Sequence, residues 1–86
     1  MTEEEIRALV LEVLAQIAPE TRGMAIDSDM NFRDQFDLDS LNFLDFMTAL
    51  DERLGMQTSE LEYPRFSSLT GCVAQVQAQL RAKRGE

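Results

Sequence analysis

The chain has no histidine, one cysteine and one lysine, Lys83. Without an imidazole there is no ordinary base to activate a serine or cysteine nucleophile, so catalysis of the acyl-transfer kind has no internal machinery. The single Cys72 has no partner for an internal disulfide, which fits a reducing compartment. No apolar run approaches the roughly 20 residues needed to span a bilayer. The opening "MTEEEIRALV" is acidic where a secretory signal is basic, and a cytoplasmic protein is expected. Bases are scarce where acids are dense. Residues 27–62 hold ten acids and two bases, so this segment accounts for the chain's whole net charge of −8. That sign excludes a nucleic-acid binder and is repelled by anionic lipid, so neither nucleic acid nor membrane is expected as a partner. It suits docking to basic protein patches.

What is present points to one small helical domain, residues 1–86. A hydrophobic fraction of 44% and a charged fraction of 28% are ordinary for a globular chain. A chain this short buries roughly 60–65% of its unfolded surface, enough for one modest core. Thr2 followed by Glu5 reads as a capping box, and Ile6, Leu9, Val10, Val13, Leu14 and Ile17 form one apolar face up to Pro19. Residues 18–39 read as a long connection, anchored by Ile26, Met30, Phe32 and Phe36. A second helix is predicted from Asp39 or Ser40 to Leu54, with Gly55 as its stop. "TSELEYP" (58–64) reads as a short third helix capped by Ser59 and ended by Pro64. Residues 67–84 read as a last helix, capped by Ser67 or Ser68, with Leu69, Cys72, Val73, Val76 and Leu80 inward. Arg81, Lys83 and Arg84 oppose the negative end of its dipole. The fold class is all-α: a small bundle of three main helices and one short one, with a long loop between the first two.

The second helix has more apolar residues than one face needs. At 100° per residue, Phe43, Phe46, Met47, Leu50 and Leu54 fall within about 100° of one another and form the core face. Leu41 and Leu44 lie elsewhere, beside Asp45, Thr48, Asp51 and Glu52. An apolar centre with an acidic rim has the form of a protein-docking surface. Beside it stands Ser40, with no histidine in the chain and the only lysine far away in the last helix. It is either a helix cap or a serine modified by another enzyme, since the free N–H groups of a helix start favour an attached phosphate.

Asp39-Ser40-Leu41 followed by an acidic-apolar helix resembles the acyl carrier proteins, and the order of helices matches that family over most of the chain. The resemblance implies that Ser40 carries a covalent 4′-phosphopantetheine arm derived from coenzyme A, whose thiol holds acyl groups as thioesters. It implies a phosphopantetheinyl transferase as partner, with a divalent metal that Asp39 helps to position, and acyl-loading and acyl-transfer enzymes that dock on basic patches. It further implies a monomeric, non-enzymatic carrier with no catalytic residue or resident metal of its own, serving fatty-acid, lipid or polyketide-type biosynthesis. Phe43, Phe46 and Met47 then mark the acyl pocket. Where the family often reads Asp-Leu-Gly-x-Asp-Ser-Leu, this chain has Gln35 for the first aspartate and Asp37 for the glycine; Asp37 is expected to tolerate a left-handed turn there. These departures, with the bulk of Phe43 and Phe46, point to a specialised carrier.

Three alternatives stand beside this reading. A cofactor-free acidic interaction module would use Ser40 only as a cap. A D-alanyl or peptidyl carrier shares fold and serine, although Asp39 before the serine suits acyl and D-alanyl carriers better. "DSDMNFRDQFDL" (27–38) begins like a calcium-binding EF-hand loop, but Phe32 and Leu38 stand where glycine and glutamate are needed.

Overall fold

The computed structural model describes residues 1–83. Three long helices carry the fold: α1 (Glu3–Ile17), α3 (Ser40–Leu54) and α4 (Leu69–Lys83), with a one-turn α2 (Phe32–Gln35) between the first two. Two 3₁₀ segments complete it, Pro19–Thr21 and Glu60–Phe66. No strand occurs among the described residues, and none of their helices is long and apolar enough to cross a membrane.

Each long helix starts and stops for local reasons. The Thr2 hydroxyl accepts from Glu5 N at 3.1 Å while the Glu5 carboxylate accepts from Thr2 N at 2.8 Å, closing the capping box. Those bonds to Thr2 hold the Glu5 carboxyl below its ordinary range. Asp39 caps α3, accepting from Asn42 N at 2.8 Å, so Ser40 is the first helical residue and not the cap. Gly55 ends α3 in the left-handed conformation, φ 65°. Ser68 caps α4 by accepting from Gly71 N at 3.1 Å. Ser67 turns instead to the loop, donating to Asn31 Oδ1 and to the Pro64 carbonyl.

α1 packs against both α3 and α4, and the core lies between them. Ile6, Val10, Val13 and Leu14 meet Phe46, Met47 and Leu50 of α3 and Leu69, Cys72, Val73 and Val76 of α4, all buried. Cys72 is a core residue. Its thiol donates to the Phe66 carbonyl at 3.1 Å, and burial pushes its pKa up to about 12.

The long connection is more ordered than a loop. Phe32 is buried and Ile26 and Phe36 are half-buried, but Met30, expected as a fourth anchor, is exposed. Gln35 closes the loop on itself. Its amide accepts from Asp27 N at 2.8 Å and donates to the carbonyls of Asp27 and Met30 at 2.8 and 2.9 Å. The Phe32 N–H reaches the Ser67 carbonyl at 2.8 Å, and Thr70 donates to Asp29 at 2.7 Å, which pins the loop to the start of α4. Asp37 does not take the left-handed turn expected of it. Among the described residues only Gly23 and Gly55 have positive φ.

The short helix also differs from expectation. Pro64 does not end it; the segment runs on to Phe66 as a 3₁₀ helix. Proline's fixed φ lies inside the 3₁₀ range, and a turn so short loses little with one missing N–H. Arg84 lies outside the described residues.

Candidate functional site

The site is built around the N-terminus of α3. Because the Asp39 side chain takes Asn42 N and the Asp39 carbonyl takes Phe43 N at 2.9 Å, the helix tip retains the N–H groups of Ser40 and Leu41 without intrahelical acceptors. Ser40 is exposed, and its hydroxyl is in no hydrogen bond among the described residues. The positive end of a 15-residue helix dipole and two free N–H groups suit a phosphate ester on this oxygen.

Beside Ser40 opens a groove of about 620 Å³. Its lining comes from Phe43 and Leu44 of α3, Glu60 and Tyr63 of the 3₁₀ helix, and Phe32 and Arg33 of α2. Partial desolvation first, then the carboxylates of Asp51 and Glu60, hold the Tyr63 phenol above its ordinary range.

Of the residues assigned to an acyl pocket, only Phe43 lines this groove. Phe46 and Met47 are wholly buried in the core. Phe46 touches two residues of the groove lining, Phe43 with ring centroids 5.9 Å apart and Phe32 edge-on at 5.8 Å, and Tyr63 meets Phe43 edge-on at 6.0 Å. Arg33, Glu60 and Tyr63 had no signal in the sequence to mark them, because they come from two separate elements, α2 and the Glu60–Phe66 segment, that only the fold brings to the start of α3.

The docking candidates separate in the same way. Leu41 is 72% and Leu44 41% exposed, with Asp45, Thr48 and Glu52 exposed along the helix. Asp51 differs. Its carboxylate accepts from Thr58 N at 3.1 Å and from the Thr58 hydroxyl at 2.7 Å, and that hydroxyl accepts from Gln79 of α4 at 3.4 Å. Asp51 therefore ties the end of α3 to the following loop. The EF-hand-like segment is used internally as well. Asp27 accepts from Asp29 N, Asp29 from Thr70, and Asn31 from Ser67.

The family model described as "phosphopantetheine attachment site" matches residues 4–73. The chain belongs to that family: it is a phosphopantetheine carrier protein, non-enzymatic, whose prosthetic group is covalent 4′-phosphopantetheine and which works by meeting partner enzymes. Comparison with curated proteins and with solved structures gave no match.

Proposed function

We propose that this protein is an acyl carrier, with the arm on Ser40. The carrying observation is the placement of Ser40, exposed, unbonded and first in a capped helix whose tip N–H groups are unsatisfied. The arm supplies a thiol that holds a carboxylic acid as a thioester. The residues of this chain do the rest. Asp39 holds the first turn rigid, the N–H groups of Ser40 and Leu41 favour the phosphodiester charge, and Leu41 with Leu44 offers an apolar contact to a visiting enzyme. Asp45 and Glu52 surround that contact with negative charge, which speeds encounter with basic partner surfaces more than it tightens the complex. A carrier that must leave each enzyme after use benefits from that balance.

The partners in this reading are a phosphopantetheinyl transferase and the enzymes that load and unload an acyl group, with the carrier itself a monomer. The reading supports a specialised lipid or polyketide-type route, on the strength of Gln35 and Asp37 in the motif and the aromatic residues behind it. A reducing, cytoplasmic setting would keep the arm's thiol free. Incubation with coenzyme A and a broad-specificity transferase should add the mass of one arm, and Ser40→Ala should abolish the gain while leaving the circular dichroism spectrum unchanged. No gain with several transferases would overturn the assignment.

A further inference from the structure

Outside residues 27–62 the chain carries six acids and six bases, and two of those bases meet at one place. A cleft of about 460 Å³ opens between α1 and the turn that follows it, lined by Arg7 of α1 and by Arg22 of the turn. Both arginines are exposed and neither is in an ion pair with a described residue, so their charges face solvent. The one acid in the lining, Glu12, is already engaged by Arg53 of α3 at 3.3 Å. The rest of the lining is largely apolar, with Leu11 and Ile26 half-buried and Met24 38% exposed. The turn that carries Arg22 and Met24 is fixed before any partner arrives. The Arg22 N–H donates to the Pro19 carbonyl and the Met24 N–H to the Thr21 carbonyl, both at 3.1 Å, and Gly23 between them takes φ 80°. A preset wall lowers the ordering cost of docking.

We infer that the α1 cleft is a second protein-docking surface, and that its partner is a short acidic segment with an apolar side chain at its centre. Two guanidiniums beside an apolar floor match carboxylates that flank a leucine or a phenylalanine. Arginine forks take carboxylates with two parallel bonds, and methionine moulds to side chains of differing shape. A basic segment is repelled by the arginines. A long polyanion such as nucleic acid reaches past the cleft to the acidic remainder of the molecule, whereas a short segment feels little of exposed charges more than about 8 Å away. The cleft is opposite in sign to the α3 face and shares no residue with it. One protein can thus hold the carrier on α1 while a basic enzyme visits α3. The inference does not depend on attachment at Ser40.

The test titrates the isotope-labelled full chain with two capped hexapeptides that share a leucine–phenylalanine centre, one flanked by glutamates and the other by lysines. The glutamate peptide should move the amide NMR signals of Leu11, Arg22 and Met24, and the lysine peptide should not. Arg7→Glu and Arg22→Glu should each weaken glutamate-peptide binding by about tenfold or more, and Arg22→Gln by less. The variants should keep the wild-type circular dichroism spectrum and accept the arm at the wild-type rate, since Ser40 and the α3 face are untouched. Signals that stay in place at millimolar glutamate peptide, equal binding of the lysine peptide, or binding unmoved by both charge reversals would overturn the inference. So would slowed loading of the variants, which would put the arginines in the transferase interface. Binding of phosphatidylserine vesicles that is lost in the same variants would give the cleft to lipid and overturn it as well.

Discussion

At the scale of single residues, Asp39 has two separable roles. It caps α3 through Asn42 N, and in the proposed function it stands next to the oxygen that a metal-using transferase must reach. Asparagine caps a helix as well as aspartate does but carries no charge. Asp39→Ala should therefore cost about 1 kcal/mol and fray the turn that displays Ser40. Asp39→Asn should melt like the wild type yet load more slowly, and equal loading rates would leave Asp39 as a cap alone. Cys72 gives a second test. A buried thiol with its pKa near 12 is inert at neutral pH, so iodoacetamide should label the holo protein once when folded, on the arm, and twice in denaturant. The folded state holds this proton more tightly than the unfolded chain, whose thiol titrates near 9.0. Stability is thus fully present below that value and falls as pH rises from there toward 12, by up to about 1.4 kcal/mol per pH unit. Cys72→Ala should lose that alkaline slope, and a variant that kept it would show the slope comes from other groups.

At the scale of elements, the groove depends on how the Glu60–Phe66 segment sits on α4. Gly71 lets it approach, because a Cβ there would run into the Arg65 carbonyl oxygen. Gly71→Ala should cost about 1–3 kcal/mol, an overpacking penalty, despite alanine's better helix propensity. The same variant should move the NMR signals of Tyr63 across the groove; a neutral or stabilising result would mean that the segment is not held by this contact. Legibility in the sequence followed the same line. The three long helices could be read because each has its own cap and apolar period, Thr2 with Glu5, Asp39 with Gly55, and Ser68. The short elements could not. One turn of α2 holds because Phe32 is buried and its N–H finds the Ser67 carbonyl, contacts 35 residues apart in sequence. Gln35 looked like a lost motif residue, but its amide makes three bonds that close the 27–35 loop. Met30 is apolar, yet its side chain is exposed and its backbone is what holds the loop, the N–H donating to the Asp27 carbonyl and the carbonyl accepting from Gln35.

At the scale of the whole molecule, charge is the feature that governs function. The acidic segment concentrates the net −8 on the part of the chain that includes α3, and the structure divides its carboxylates into free and engaged. Asp45→Lys and Glu52→Lys should each slow association with a cognate enzyme, more at low salt than at high salt, while shifting stability by no more than about 0.5 kcal/mol. Asp51→Lys should in addition lower Tm, because it removes both acceptors of Thr58. Association rates insensitive to the first two variants would put the docking face elsewhere on the surface.

The most direct measurement is the position of the arm itself. The chain has five serines, at 28, 40, 59, 67 and 68. After loading with coenzyme A by a phosphopantetheinyl transferase, fragmentation of the intact protein in the mass spectrometer should place the added group on Ser40 alone. An arm found on any of the other four would contradict the assignment.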